Sequence, residues 1–142
     1  MTKMPVPSER QAVLIGGESL LIECAQTLQS AGLAIAAVVS RAPAVRRWAA
    51  SQKLALFAEP SQLLSDEAPR GFAYLFSITN LEVLAPEVIA LPTRAAINFH
   101  DGPLPEYAGL NTPVWALLNG EAQHGITWHL MTREVDRGDI LA

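Results

Sequence analysis

Cysteine is nearly missing from this sequence of 142 residues, with one at position 24. A single thiol excludes an intramolecular disulfide framework and a multi-thiolate metal site. Charge is sparse at 17%, and Lys+Arg 10 against Asp+Glu 14 leaves net −4. The clustered basic surface that tracks nucleic-acid phosphates is therefore lacking. No apolar run approaches the roughly 18 residues of a membrane span. The start, residues 1–10, is polar and proline-bearing, without the apolar core of a signal peptide. The dinucleotide fingerprint Gly-x-Gly-x-x-Gly is absent too, because Gly16-Gly17 is followed by Glu18 and position 21 is Leu. These absences lead to the expectation of a soluble cytoplasmic protein with no membrane or nucleic-acid partner, and they disfavour a nucleotide-binding oxidoreductase.

What is present is apolar. A hydrophobic share of 50% excludes a disordered chain, and the length suits one domain of about 100–200 residues. Short runs rich in Val, Ile, Leu and Ala recur at 11–16, 33–39, 54–57, 72–78 and 95–100, with a further β-rich stretch at 125–131. Continuous runs of this kind have both faces buried, as in parallel sheets. Between them lie helical patterns at 19–30, closed by Gly32, at 43–52, opened by Pro43, at 60–64, and in a turn after Pro86. Asn111 is placed to cap a helix over 114–118, and Ile140-Leu141 resume a strand. Alternation of strands and helices predicts an α/β fold: a Rossmann-like, open, mostly parallel sheet with helices on both faces. Ligands in such folds sit outside the carboxyl ends of the strands, which directs attention to the loops at 16–19, 77–84, 100–109 and 132–138.

Several residues in or near those loops have a bland reading beside a chemical one. Gly16 and Gly17 make a tight strand-to-helix turn or a phosphate approach, and Glu18 opposes the latter. Cys24 reads as a small buried hydrophobe, and Trp48 as packing. Asn98 and His100 share one face of a strand through its period of two, as a satisfied structural pair or as the edge of a site. They run directly into Asp101-Gly102-Pro103-Leu104-Pro105, a loop stiffened by its prolines. His124 precedes a glycine and reads as solvated. His129 either lines a site or caps the core. No H-x-x-x-H or H-x-H spacing supports a metal, so none is expected. Glu134 to Asp139 is acidic and reads as a solvated turn, except that Asp136, two places before Gly138, can reach a histidine on a neighbouring strand as its orienting carboxylate.

The stretch Asn98-Phe99-His100 with Leu104-Pro105-x-Tyr107-x-Gly109 resembles the active-site signature of folate-dependent formyltransferases. Trp115 to Glu121 and His124 to His129 look like the same family's next helix and strand, and Asp136 to Leu141 resembles its closing Asp-x-Gly motif. The resemblance implies a Rossmann-like catalytic domain over 1–142, stopping short of the family's continuation past that motif. It implies 10-formyltetrahydrofolate as formyl donor, an amine as acceptor and no metal. Asn98, His100 and Asp136 take the catalytic positions. Phe76, Ser77, Ile78, Thr79, Asn80 and Leu84 take the segment that lies against the pterin. Gly16, Gly17, Asp101, Gly102 and Pro103 are assigned to substrate loops. The Asp-Gly-Pro version of the loop is similar to that of formyltransferase domains in nonribosomal peptide synthetases, which implies an aminoacyl acceptor held on a carrier protein. A methionyl-tRNA formyltransferase-like enzyme is the alternative, and it would need a further C-terminal domain and a basic surface. A formyltransferase-like domain that binds without turnover is another, opposed by the presence of all three polar residues.

Overall fold

The computed structural model describes residues 7–142, so the polar start read at 1–10 lies in its first six positions outside the described residues. A 3-10 turn, Ser8–Arg10, leads into strand β1 (Gln11–Gly16). Helix α1 (Ser19–Ser30), β2 (Ala34–Val39), α2 (Pro43–Ser51) and β3 (Ala55–Phe57) follow. A second 3-10 turn, Pro60–Leu64, precedes β4 (Tyr74–Ile78), α3 (Pro86–Ile89) and β5 (Ala95–His100). The chain then passes through α4 (Thr112–Leu118) and β6 (Thr127–Leu130). One six-stranded sheet results, in the order β3-β2-β1-β4-β5-β6. Its first five strands are parallel and β6 runs antiparallel to β5.

The expected fold class is the one observed. Because the strands carry apolar residues at consecutive positions, both faces of the sheet are packed. Val13, Ile15, Ala37, Val39, Leu75 and Ala96 face one core with Leu63, Phe72, Leu84 and Val88. Ala12, Leu14, Val38 and Ile78 face a second core with Leu21 and Ala25 of α1 and Val45 and Ala49 of α2. Truncating a fully buried residue such as Leu14 to Ala in cores of this kind costs about 2–5 kcal/mol. Cys24 and Trp48 are half-buried against the second core. No helix among the described residues is long and apolar enough to cross a membrane.

Strands β2 and β3 begin one residue later than their apolar runs suggest, for the same reason in each case. Leu33 N–H bonds to the Leu28 carbonyl at 3.0 Å and Leu54 N–H to that of Ala49 at 3.0 Å. Each closes the six-residue turn that ends a helix through a left-handed residue, here Gly32 and Lys53. Helix α4 starts earlier than expected, at Thr112, and Asn111 does not cap it. Asn111 is itself left-handed, at φ 58°, a conformation that Asn tolerates better than most residues. The turn at the end of β1 is equally constrained. A Cβ on Gly16 would stand 1.8 Å from the Ile78 carbonyl oxygen, so β1 and β4 come together there only because position 16 has no side chain.

Two measurements follow from this packing. Gly16→Ala is expected to lower the unfolding free energy by about 3 kcal/mol or more, as overpacking against backbone does, and the shift of the denaturant midpoint reads it. Burial, with Glu23 second, pushes the Cys24 thiol pKa up. The thiolate is therefore scarcer in the folded chain than in the unfolded one. Iodoacetamide at mildly alkaline pH should modify Cys24 more slowly before denaturation than after it; equal rates would contradict this placement.

Candidate active site

Two strands supply the polar centre. Asn98 and His100 of β5 point to the same side as Ser77 of β4, its register neighbour. Antiparallel pairing sets His129 opposite Asn98 and Thr127 opposite His100. Four polar side chains from β5 and β6 thus share the end of one sheet face, while Phe99 and Trp128 pack on the other face with their rings 5.3 Å apart. Beyond β6 the chain loops out and returns, with Ile140 bridging back to His129. The return is tight, since a Cβ on Gly138 would lie 1.7 Å from the Leu130 carbonyl oxygen. Asp136 in this loop is left-handed, at φ 57°, and its carboxylate turns in over the two strands.

Asp136 Oδ1 lies 3.5 Å from His100 Nδ1 and 3.6 Å from His129 Nε2. All three side chains are buried, at 8%, 6% and 3% exposure. Asp136 Oδ2 accepts the Gly109 N–H at 2.9 Å. The outer nitrogens of the rings are tied to carbonyl oxygens: His100 Nε2 to Tyr107 at 2.5 Å, and His129 Nδ1 to Leu130 at 2.9 Å. A carbonyl only accepts, so these nitrogens carry the protons and each neutral ring turns its bare nitrogen inward. The bare Nε2 of His129 accepts from Asn98 Nδ2 at 3.2 Å, which sets the Asn98 amide with its nitrogen toward His129. A proton entering this triangle meets a carboxylate oxygen and two imidazole nitrogens.

The centre lies on the wall of a cavity of about 750 Å³, bordered by Gly17, Ser77, Thr79, Asn80, Leu84 and Asp101 among others. Sequence-assigned residues divide clearly around it. Phe76 and Ile78 alternate onto the opposite sheet face, where Ile78 is buried in the second core and Phe76 packs half-buried against it, and they do not border the cavity. Gly102 and Pro103 do not border it either. Gly102 is buried, with no room for a Cβ beside Thr112 Oγ1 at 2.6 Å, and its carbonyl accepts from Thr127 Oγ1 at 2.8 Å. Gly16 borders a smaller cavity of about 230 Å³ with Ser40 and Arg41. There Arg41 Nε donates to Glu59 Oε1 at 2.7 Å, and this partner pushes the guanidinium pKa up.

Asp136 does not arrive from a carboxyl end beside that of β5. Since β6 is antiparallel, its carboxyl end lies at the far edge, and the loop must travel back. His124, read as solvated, is exposed, yet its Nε2 donates to the Asp101 carbonyl at 2.7 Å. His129, expected either to line a site or to cap the core, lines the site, and Thr127 beside it has no counterpart among the sequence expectations. Their signal is the same period of two that singled out Asn98 and His100. Among the described residues no group of three or more His, Cys, Asp or Glu side chains is arranged to hold a metal ion. Replacing His129 by Leu leaves the Asn98 amide without its acceptor. A loss of about 1–3 kcal/mol, the usual cost of stranding a buried polar group, is expected in chemical denaturation.

Comparison with known proteins bears on the family and the fold. A family model described as formyl transferase matches residues 73–142. The bifunctional polymyxin resistance protein ArnA of Wigglesworthia glossinidia brevipalpis is 35% identical over 68 residues, 48% of this chain and 10% of that protein. The structure is similar to glycinamide ribonucleotide transformylase 1 from Symbiobacterium toebii, with TM-score 0.72 and 25% identity, covering 95% of this chain and 72% of that one. A formyltetrahydrofolate deformylase from Pseudomonas syringae pv. tomato shares the fold at TM-score 0.77 and 21% identity, over 94% of this chain and 50% of that one. The chain therefore spans a tenth of its ArnA relative and about seven tenths of the Symbiobacterium structure. The matched segment, residues 73–142, carries the polar centre and belongs to the formyl transferase family, and the sheet as a whole shares the fold of the two solved structures.

Proposed function

We propose that this protein transfers a formyl group from 10-formyltetrahydrofolate to an amine. The observation that carries the reading is the buried Asp136 carboxylate, 3.5 Å from one imidazole and 3.6 Å from another, beside the Asn98 amide on a cavity wall. The cavity suits a donor with a flat polar ring. Leu84 and Ile89 give it apolar lining, and the turn at 79–82, braced by bonds between Asn80 and Glu82, forms its edge.

The amine nitrogen attacks the formyl carbon, and negative charge develops on the formyl oxygen. Asn98 Nδ2 has two protons and spends one on His129, so the other is available to that oxygen. Once Nδ1 has taken up a proton, the His100 imidazolium, still bonded through Nε2–H to the Tyr107 carbonyl, is the second donor. The bond from the formyl carbon to the donor nitrogen then breaks. The amine surrenders a proton as the donor nitrogen gains one, leaving a formamide and tetrahydrofolate. Asp136 and the inward imidazole nitrogens are acceptors for the departing proton, directly or through water. Preorganised donors of this kind act on charge that appears only in the transition state.

The Asp101-Gly102-Pro103 loop supports an aminoacyl acceptor presented by a carrier protein. Its contribution is the shape of the backbone beside His100, because Gly102 is packed inward. Formyl transfer to free and to carrier-bound amino acids, assayed side by side, tests this acceptor class.

His100→Ala is expected to lower kcat and kcat/KM together, by about 10²–10³, while leaving affinity for a folate analogue nearly unchanged. Asp136→Asn keeps the shape, removes the proton acceptor and should be similarly severe. The double variant should lose little more than either single one, because groups acting as a unit are not additive. Steady-state kinetics and calorimetry read these outcomes. An unchanged kcat with proportionally weaker folate binding would make His100 a binding residue and defeat the mechanism.

A further inference from the structure

The outer part of the loop between β5 and α4 touches both members of the His100–Asp136 contact. The Tyr107 carbonyl accepts from His100 Nε2, and the Gly109 N–H donates to Asp136 Oδ2. Residues 107–109 therefore form a backbone span over the pair. Both contacts use main-chain atoms, so the position of the span matters more than the side chains at its ends. Ala108 and Gly109 are exposed and bring no apolar packing to hold it.

Besides the Tyr107 N–H bond to the Pro103 carbonyl at 2.9 Å, one side chain ties the span down. The Tyr107 hydroxyl donates to Glu121 Oε1 at 2.8 Å and accepts from Asn119 Nδ2 at 3.1 Å. Its ring stands edge-on to His124, with centroids 5.7 Å apart and planes at 85°. Asn119 and Glu121 follow directly on α4, and the first residue of that helix, Thr112, donates to the Asp101 carbonyl at 2.6 Å. A continuous set of bonds thus runs from the end of α4 through the Tyr107 phenol to the His100 ring. None of these groups lies within the triangle formed by His100, His129 and Asp136.

We propose that Tyr107 and Glu121 are a positioning pair for the reaction. Their side-chain hydrogen bond holds the Tyr107 carbonyl against His100 Nε2, which keeps that ring protonated at Nε2 and directs Nδ1 at Asp136. A carbonyl that drifted away would let the ring carry its proton on either nitrogen, and the Nδ1–H form would compete with proton acceptance at the triangle. The proposal rests on the reading of His100 given above, but the state of the ring can be measured without turnover.

Nitrogen-15 NMR of the histidine-labelled full chain distinguishes the two ring tautomers of His100. Tyr107→Phe removes only a hydroxyl from a half-buried ring. Glu121→Ala removes its acceptor, and Glu121→Gln restores an acceptor oxygen. In Tyr107→Phe and Glu121→Ala the expected result is a mixture of His100 tautomers, with kcat reduced about 10–100-fold, as small misplacements of reacting groups do, and folate-analogue affinity within about twofold of the parent. Glu121→Gln should return both the single tautomer and most of kcat. If His100 stays wholly protonated at Nε2 in Tyr107→Phe, the pair does not position it and the proposal is overturned. That variant decides the matter even if Glu121→Ala fails to fold. Failure of the formyl-transfer reading looks different: the parent chain itself would show no turnover, while the tautomer shift would persist.

Discussion

A buried carboxylate is the costly element of this molecule. Removing an unpaired carboxylate from water costs several kcal/mol even after a protein relaxes around it, and Asp136 is only 8% exposed. The surrounding structure supplies what offsets that cost. Oδ2 takes a backbone N–H from Gly109, while Oδ1 faces the bare inward nitrogens of His100 and His129 and gains a donor there only when a proton enters the triangle. The separations to the rings, 3.5 and 3.6 Å, exceed an ordinary hydrogen bond of about 2.7–3.2 Å. The triangle is thus open enough for a proton or a water to change partners without rearranging the backbone. A tighter arrangement would be more stable and less able to exchange.

This arrangement depends on the reversal of one strand. Were β6 parallel to β5, His129 and Thr127 would not stand directly opposite Asn98 and His100 with short cross-strand spacing. Antiparallel pairing makes two neighbouring pairs, Asn98 with His129 and His100 with Thr127, and each does a separate task. The first pair orients an amide. In the second, Thr127 Oγ1 bonds to Gly102 O and accepts from Leu104 N, fixing the loop that leaves His100. The same reversal sends the chain out at the far edge, and the 131–139 segment must cross back. That return is possible because position 138 has no side chain beside the Leu130 carbonyl.

Much of this was legible in the residues. Apolar runs located every strand, because a sheet packed on both faces leaves an uninterrupted signature in Val, Ile, Leu and Ala. Asn98 and His100 stood out because two polar residues at a spacing of two break such a run at its end. Less legible was anything set by two segments meeting. The face assigned to Phe76 and Ile78 depends on the register of β4 against β1 and β5, and their neighbours Leu75 and Ser77 point the other way. Asn111 has the residue type of a helix cap, but the loop delivers Thr112 to Asp101 and leaves Asn111 in a left-handed turn. His129 has the same period-two signal as His100. Its consequence, however, appears only once it is known which strand lies opposite.

The two histidines also show why residue type alone could not divide the work among the polar groups. Both rings donate outward to carbonyl oxygens, but the carbonyls differ in kind. The one bound by His129 belongs to Leu130, the next residue of its own strand, and is as fixed as the sheet. The one bound by His100 belongs to Tyr107, in a loop held by separate hydrogen bonds rather than by a strand ladder. Under the same fluctuations, His129 keeps its tautomer and hence the orientation of the Asn98 amide. His100 keeps its own only as long as the loop stays in place. For the proposed reaction, a rigid donor beside a conditionally oriented ring is an arrangement in which oxyanion stabilisation would always be ready and proton transfer would depend on the loop being seated.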